Sequence, residues 1–329
     1  MINSSPSAAA ATALTVDDTV QLAILERSGL IESRHLGAAI VLSPDGTELR
    51  RLGNPDALIY PRSTLKPMQA VTVLRSGVQL TPEQLVLASA SHTGSQRHQD
   101  VVASILDAHG LSAEDLLCPA DWPADSGARR AADAPTRIAM NCSGKHASFL
   151  AACVVNDWPL ESYLEHDHPL QARIRDTIVE FTGQPLAHEG TDGCGAPVFA
   201  MSLTSLATAI QRIARSTPAQ DPHAAALMAA IRNNSWGLDM PQVAEAMDEL
   251  GIVAKRGAEG VLIAAAADGT TIALKILDGS IRPLLPVGLV LLAQAGALDA
   301  GTVNEVLAST TEKVLGRGLP VGELRFQLE

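Results

Sequence analysis

Alternating apolar and polar positions predict β structure near both ends of the chain. Residues 37–42 alternate in this way, a Ser-Pro-Asp-Gly turn follows at residues 43–46, and a second extended stretch runs to Tyr60, which together favour a hairpin. Further strands are predicted at residues 261–267 and 271–276, joined by an Asp-Gly turn, and at residues 321–327. The two ends of the chain are therefore expected to supply the strands of one sheet.

The middle of the chain carries the 3.6-residue apolar period of α-helices. Helices are predicted at residues 82–90, 96–109, 145–156, 168–182, 199–215, 222–233 and 240–250, and a buried apolar helix at residues 283–296. Ser63 is expected to cap a further helix that Gly77 ends. That helix would place Ser63 and Lys66 one turn apart on the same face.

These elements predict an α/β (α+β) fold with a single domain at residues 21–329. Its antiparallel sheet would come from the N- and C-terminal segments, with a helical subdomain inserted at about residues 81–250. The Ser- and Ala-rich stretch at residues 1–20 is interpreted as a disordered leader. The crevice between the sheet and the helical subdomain is the expected place for an active site.

Composition favours a small-molecule substrate over nucleic acid or membrane. The formal net charge of −12 at pH 7 would repel phosphate backbones and anionic lipids, and an aromatic content of 3% leaves little surface for stacking on bases. No Lys or Arg precedes Arg27, so the basic region of a secretory signal is missing and a cytoplasmic location is expected. The four cysteines then suggest free thiols or a metal site instead of disulfides.

Lysine is scarce, with five lysines against nineteen arginines. Three of the five, Lys66, Lys145 and Lys255, lie in segments with Gly or Ser close by. A desolvated lysine can lose its proton and act as a base or ligand, whereas arginine stays charged. These three positions are therefore candidates for chemistry, while chance accounts for Lys275 and Lys313.

Two serines have candidate bases. Residues 63–66 (Ser-Thr-Leu-Lys) offer a nucleophile with an amine one helical turn away, although a capping Ser63 and a solvated Lys66 would give the same pattern. Ser91 lies with His92 in a loop after a helix, which is either catalytic or simple helix punctuation. Lys255 precedes a Gly-rich turn and is interpreted as a base, a carboxylate binder or an edge-strand lysine that deters aggregation.

Two cysteines lie in Gly-containing turns. Cys142 and Cys194, with a neutral Lys145 amine and a water, would form a tetrahedral Zn²⁺ site. Lysine is an uncommon zinc ligand, so the competing interpretation is a pair of buried thiols beside a polar cleft. The His-Asp-His sequence at residues 166–168 is interpreted as a capped helix start and not as a metal motif.

Six segments, taken in order, resemble the bacterial asparaginase II-like family, the rhizobial-type class 3 L-asparaginases. They are Pro-Arg-Ser-Thr-Leu-Lys-Pro at 61–67, Ala-Ser-His-Thr-Gly at 90–94, Asn-Cys-Ser-Gly-Lys-His at 141–146, Asp-His-Pro at 167–169, Thr-Asp-Gly-Cys-Gly-Ala-Pro at 191–197 and Ala-Lys-Arg-Gly-Ala-Glu-Gly-Val at 254–261. The resemblance implies a serine β-lactamase-like fold, a homodimer, and hydrolysis of L-asparagine to L-aspartate and ammonia.

The resemblance also implies functional residues. It implies two Ser-Lys tandems, Ser63 with Lys66 and Ser91 with Lys255, and a zinc site beside the substrate made by Cys142, Lys145 and Cys194. One segment departs from the family pattern. Where members have His-Pro followed by Val-Ala-Gly and an arginine, residues 233–240 read Asn-Asn-Ser-Trp-Gly-Leu-Asp-Met. The substrate, or activity itself, is therefore open.

The resulting hypothesis is covalent amide hydrolysis. Lys66 would deprotonate Ser63, Ser63 would attack the side-chain carboxamide, and water would cleave the acyl-enzyme. Ser91 and Lys255 would relay protons or activate that water. The sequence does not rank the two serines, so Ser91 is an equal candidate for the nucleophile.

Substrate binding is assigned to four further residues. Asp192 would hold the α-ammonium group, and Arg62 or a bound zinc ion would orient the α-carboxylate; His92 and Asn141 complete the set. Two alternatives stay open at this point. One is a penicillin-recognising serine acyl hydrolase, and the other is a catalytically inert relative that binds a metal or an amino acid.

Overall fold

The computed structural model of the protein describes residues 12–326 and residue 328. Its strands are β1 (Val20–Arg27), β2 (Leu30–Leu42), β3 (Glu48–Leu52), β4 (Leu58–Ile59), β5 (His188–Thr191), β6 (Pro197–Ser202), β7 (Val253–Gly257), β8 (Val261–Ala265), β9 (Thr271–Ile276), β10 (Val314–Gly316) and β11 (Leu319–Phe326). Its α-helices are α1 (Lys66–Arg75), α2 (Pro82–Ser89), α3 (Gln96–Asp107), α4 (Ser126–Ala131), α5 (Ser143–Val155), α6 (Pro169–Thr182), α7 (Leu203–Arg215), α8 (Pro222–Asn233), α9 (Pro241–Leu250), α10 (Leu284–Gln294) and α11 (Ala300–Thr310).

Both ends of the chain build the main antiparallel sheet. Its strand order is β10-β11-β1-β2-β9-β8-β7, and β3 pairs with β2. The β1 and β11 strands are hydrogen-bonded neighbours, with Leu25 opposite Leu324. The predicted fold class is confirmed, because strands from the N- and C-terminal segments enclose a long, mainly helical insertion.

Helices cover the two faces of this sheet. Helix α7 packs on β2, β8 and β9 from one side, and α10 packs on β8 and β9 from the other. Gly288 of α10 makes the second contact possible, because a Cβ there would lie 2.5 Å from Leu262. Strand β8 consequently reads as the uninterrupted apolar run Val-Leu-Ile-Ala-Ala, all of it buried.

The inserted region packs around α1, which contacts α2, α5, α6, α7 and α8. A second, three-stranded sheet of order β4-β6-β5 lies in the same part of the chain. Helix α6 begins after His168, whose side chain accepts from the Leu170 amide at 3.1 Å, so the predicted capped start is confirmed. Among the helices that the structure describes, none is both long and apolar enough to cross a bilayer.

Three sequence predictions of local structure are wrong in part. The helix predicted at 199–215 starts as β6, and α7 begins only after Ser202, which accepts from the Ser205 amide. Ser63 does not cap α1; it lies inside a 3₁₀ turn (Arg62–Leu65) that leads into the helix, and its side chain makes no capping bond. Residues 1–11 of the predicted leader lie outside the described residues. The stretch after them is ordered, since Leu14 bonds to Leu58 and β1 starts at Val20.

Candidate active site

Two buried lysines converge on Ser91. Lys66 Nζ lies 3.1 Å from Ser91 Oγ, and Lys255 Nζ lies 3.0 Å from the same oxygen. Ser91 follows the end of α2, Lys66 begins α1 and Lys255 lies on β7. The backbone amide of Ser91 donates to the carbonyl of Leu238 at 2.9 Å, which ties the serine to the segment before α9. The sheet and two helices thus meet at one hydroxyl.

Lys66 has the hydrogen-bonding pattern of an ammonium group. It is 1% exposed, and its three N–H donors have three acceptors, the carbonyl of Ala90, Ser91 Oγ and Cys142 Sγ at 3.0 Å. The predicted pairing of Lys66 with Ser63 is not found. Ser63 is half-buried, and its hydroxyl has no hydrogen-bond partner among the described residues. Spacing along the chain suggested Ser63, but the tertiary fold supplies Ser91.

Lys255 has a different environment. It is 1% exposed and lines an apolar cavity together with Leu238, Ile263 and other aliphatic side chains. Burial, reinforced by the nearby positive charge of Lys66, lowers the pKa of Lys255 to about 7. Lysine is ordinarily protonated at neutral pH, so this shift leaves a substantial neutral fraction that can accept a proton.

Arg62, four residues before Lys66 in the sequence, forms an ion pair with Asp192. Arg62 Nε donates to Asp192 Oδ1 at 2.6 Å, and the two side chains are 23% and 12% exposed. Arg62 has φ of 53°, a left-handed conformation that non-glycine residues rarely adopt. The turn packs tightly on β7, because a Cβ on Gly257 would lie 2.6 Å from the carbonyl oxygen of Pro61. The fold therefore holds Arg62 in a strained backbone geometry.

Two thiols extend the polar network away from Ser91. Lys145 Nζ donates to Cys194 Sγ at 3.0 Å, and Cys142 lies beside Cys194. The interaction with Cys142, with Lys145 close by, holds the pKa of Cys194 well below its ordinary value, while the same interaction and burial raise the pKa of Cys142. Burial opposes a charged Lys145, but the two cysteines outweigh it and raise its pKa. Cys194 is therefore the more acidic of the two thiols, and the charged form of Lys145 is favoured.

The predicted metal residues therefore come together. Two soft sulfur donors and one nitrogen donor are a suitable set for zinc, although Lys145 would have to give up its proton on binding. Across residues 12–326 and 328, no cluster of three or more His, Cys, Asp and Glu side chains is arranged to hold a metal ion. All four cysteines are free, as predicted.

His146 contacts the thiol cluster from a buried position that the sequence analysis did not assign. Its Nδ1 lies 2.7 Å from Tyr163 Oη, which also accepts from the Leu117 amide. Donation of the Tyr163 hydroxyl proton to Nδ1 would satisfy both groups and would place the ring proton on Nε2. That Nε2 has no partner within the geometric limits of a hydrogen bond, and it lies near Cys194, where it helps to stabilise the thiolate.

His92 and Asn141, which are both predicted to bind substrate, have different surroundings. His92 is buried, its Nδ1 accepts from the Gly94 amide, and its Nε2 lies 2.9 Å from Ser143 Oγ. Both ring nitrogens are thus used inside the protein, and burial lowers the pKa of His92 well below its ordinary value. Asn141 is exposed and accepts from the Cys142 thiol at 3.0 Å, so it remains available at the edge of the site.

Asp239 was not among the residues predicted from the sequence. It is 4% exposed, and its carboxylate binds Arg256, the neighbour of Lys255. The available signal was the departure of residues 233–240 from the expected family pattern, which pointed to this segment without naming the residue.

A serine held between two buried amines is a site for nucleophilic attack on a carbonyl carbon. The chain belongs to the L-asparaginase II family, whose sequence model matches residues 23–326. Among curated proteins, none matches the chain.

Several solved structures are similar to this chain at low identity. Native Mglu is 11% identical with a TM-score of 0.45, over 78% of this chain and 63% of that one. A Bacillus glutaminase is 13% identical with a TM-score of 0.35, over 79% and 90% of the two chains. A β-lactamase from Mycobacterium bovis is 16% identical with a TM-score of 0.44, over 84% and 95%. The chain thus spans less than two thirds of the length of Mglu.

Proposed function

We propose that the protein hydrolyses L-asparagine to L-aspartate and ammonia, with Ser91 as the nucleophile. The observation that carries the proposal is the convergence of Lys66 and Lys255 on Ser91 Oγ in a member of the L-asparaginase II family. Ser91 replaces Ser63 as the favoured nucleophile, because no base contacts Ser63 in the part of the chain that the structure describes.

The first half-reaction transfers the acyl group to the protein. Neutral Lys255 accepts the proton of Ser91, and Ser91 Oγ forms a bond to the carboxamide carbon of the substrate. Lys66 stabilises the developing negative charge on the serine oxygen, since all its donors are already oriented by the fold. The protonated Lys255 then gives its proton to the amide nitrogen, the C–N bond breaks, and ammonia leaves.

The second half-reaction releases the product. Water loses a proton to Lys255 and attacks the ester carbon of the acyl-enzyme. The bond from carbon to Ser91 Oγ breaks, the serine recovers a proton, and aspartate leaves. Ser63 follows Arg62 in the sequence. Its unpaired hydroxyl would bind the substrate and would take no part in breaking the amide bond.

The Arg62–Asp192 ion pair is the proposed recognition site for the amino-acid end of the substrate. An α-amino acid carries one ammonium and one carboxylate, which are the complements of Asp192 and Arg62. The two protein groups bind each other at 2.6 Å and can exchange that contact for the two ends of the substrate. Fixing both ends would hold the carboxamide in one position relative to Ser91.

Zinc is a further part of the proposal. Cys142, Lys145 and Cys194 would hold it, and a bound zinc ion would supply a Lewis acid beside the substrate carboxylate. Metal analysis of the purified protein, set beside that of Cys194→Ser, tests this. We expect about one zinc per chain in the parent and loss of it in the variant. Equal zinc contents would contradict the assignment.

The serine assignment is tested by acylation. An ester analogue of asparagine should give a burst of product in the parent protein and in Ser63→Ala, and no burst in Ser91→Ala, because only Ser91 would carry the acyl group. A burst that survives in Ser91→Ala and disappears in Ser63→Ala would reverse the two roles.

The substrate is tested by ammonia release from asparagine, glutamine and simple primary amides. We expect the highest kcat/KM with asparagine and a large loss of it in Asp192→Asn. Hydrolysis of nitrocefin without ammonia release from any amide would instead support a penicillin-recognising hydrolase. Saturable binding of asparagine with no ammonia release would support an inert relative.

A further inference from the structure

Asp239 is a buried carboxylate with more hydrogen bonds than a surface ion pair needs. Its two oxygens accept from the backbone amide of Arg256 at 2.9 Å, from the Arg256 guanidinium at 2.7 and 3.2 Å, and from the amide of Met240 at 2.7 Å. Both carboxylate oxygens are therefore occupied by charged or backbone donors, which makes this a strong and directional contact.

The contact lies at the free edge of the catalytic strand. Strand β7 is the last strand of the sheet, and β8 is its only neighbour among the described strands. The Asp239 carboxylate accepts a hydrogen bond from the backbone amide of Arg256, the residue directly after Lys255. A side chain thus fixes the part of β7 next to the proposed base, on an edge that lacks a second neighbouring strand.

The residue before Asp239 contacts both members of the catalytic pair. The Leu238 carbonyl accepts from the Ser91 amide at 2.9 Å, and the Leu238 side chain lines the apolar cavity beside Lys255. Two consecutive residues therefore connect the loop that carries Ser91 to the strand that carries Lys255. They belong to the segment where this chain departs from the family pattern.

We propose that Asp239 is a positioning residue for this reaction: its clamp on Arg256 keeps Lys255 Nζ within hydrogen-bond distance of Ser91, and its charge balances the surrounding cations. This inference rests on the proposed function for its catalytic consequence, but not for its geometry. It assigns a role to a residue that none of the six resembling segments contains.

The electrostatic surroundings of Lys255 agree with this role. The charged and titratable groups that affect it are Lys66 from α1, Cys142 before α5, Arg256 on its own strand and Asp239. After burial, Lys66 lowers the pKa of Lys255 most, and Arg256 lowers it further, whereas Asp239 and Cys142 raise it. Removing the negative charge of Asp239 should therefore lower the pKa of Lys255 below its value of about 7.

The test uses Asp239→Asn, which keeps the shape of the side chain and removes its charge. We expect kcat for asparagine to fall about 10- to 100-fold with a smaller change in KM, because misplacement of a base slows chemistry more than binding. Asp239→Glu, which keeps the charge, should recover the pH dependence of the parent even if kcat stays reduced.

Asp221→Asn is the matched control. Asp221 also accepts from two backbone amides and from an arginine, Arg75; it caps α8 and is not among the charged groups that act on Lys255. We expect it to lose thermal stability as Asp239→Asn does, but to keep kcat and the pH profile of the parent. This comparison separates positioning of the base from a general loss of stability.

A second measurement needs no substrate. The chain has only five lysines, so NMR of protein labelled at the lysine side chains can follow Lys255 during a pH titration. The signal of Lys255 should titrate at a lower pH in Asp239→Asn than in the parent and at the parent pH in Asp221→Asn. An unchanged midpoint in Asp239→Asn overturns the proposal. An absence of asparaginase activity in the parent would overturn the proposed function alone.

Discussion

At the scale of single residues, surroundings divide the scarce lysines among different roles. The three N–H donors of Lys66 have three acceptors. Lys255 lines an apolar cavity and has one hydrogen-bond partner among the described residues, the Ser91 hydroxyl, which Lys66 also contacts. Lys275, which was ascribed to chance from the sequence, donates to the backbone carbonyls of Glu259 and Ile276 and so ties the β7–β8 turn to the end of β9. The same side chain thus serves as a fixed charge, a base and a structural donor.

The first prediction concerns Lys255. Only its neutral form can accept the serine proton, and its pKa is lowered to about 7, so kcat/KM should rise with pH and level off above that value. Lys255→Arg keeps a permanent charge and should lose about 10²- to 10⁴-fold in kcat/KM, the usual contribution of a general base. Ammonia release measured between about pH 5 and about pH 9, a range that brackets the expected pKa, checks the pH dependence and the loss of rate.

Lys313→Arg is the control for that substitution, because Lys313 is exposed and remote in sequence from the site segments. It should keep the rate and the pH profile of the parent. A flat profile in the parent, or full activity in Lys255→Arg, would remove Lys255 from the mechanism.

The types of the site residues could be predicted from the sequence, but not all of their contacts. Scarcity of lysine and small neighbouring residues were enough to select Lys66, Lys145 and Lys255. The pairing of Lys66 was wrong because a helical spacing considers only neighbours along the chain, whereas Ser91 is 25 positions away. Asp239 was missed for the same reason, since its partner Arg256 is 17 positions away.

At the scale of elements, the apolar period located most helices and misread places where two element types adjoin. Helix α7 was extended backwards over β6, because the apolar run Pro-Val-Phe-Ala-Met suits a helix or a buried strand equally well. The run forms a strand because β6 pairs with β4 and β5, and no local sequence pattern shows that pairing. Likewise, the capping pattern at Ser63 did not predict the 3₁₀ turn before α1.

The second prediction concerns the contact between α2 and α5, the elements next to Ser91 and Lys145. Gly144 is the second residue of α5, and a Cβ there would lie 2.4 Å from the carbonyl oxygen of Leu87 in α2. Because that atom belongs to the backbone, Gly144→Ala must push the two helices apart, at a cost of about 1–3 kcal/mol in the free energy of unfolding. Urea denaturation measures this cost, and kcat should fall as well.

Gly127→Ala is its matched control, because Gly127 is also the second residue of a helix. There the nearest atom to a new Cβ is a side-chain oxygen of Asp125 at 3.2 Å, which can move. Its stability should change by less than about 1 kcal/mol, and kcat should stay the same. Similar losses in both variants would show that the close packing of α5 on α2 is not needed.

At the scale of the whole molecule, the proposed base and the C-terminal hairpin lie at opposite edges of one sheet. Strand β7, with Lys255, forms one edge, and the β10–β11 hairpin forms the other. The two chain ends meet at β1 and β11, so the sheet is complete only when the last strand has been added. The sequence predicted strands near both ends, yet the strand order depends on long-range pairing that no local pattern contains.

The last prediction compares the two sides of the sheet by truncating one buried side chain on each. Leu324 in β11 and Ile263 in β8 are both buried, and each truncation to Ala should cost about 2–5 kcal/mol in the free energy of unfolding. Only Ile263 lies opposite Lys255 and lines its apolar cavity. Ile263→Ala should admit water there, raise the pKa of Lys255, move the acidic limb of the kcat/KM profile to higher pH and lower kcat at pH 7. Leu324→Ala should lose stability while its rate and pH profile match those of the parent. If Leu324→Ala shifts the acidic limb of the pH profile as far as Ile263→Ala does, the apolar side chains around Lys255 do not set its pKa.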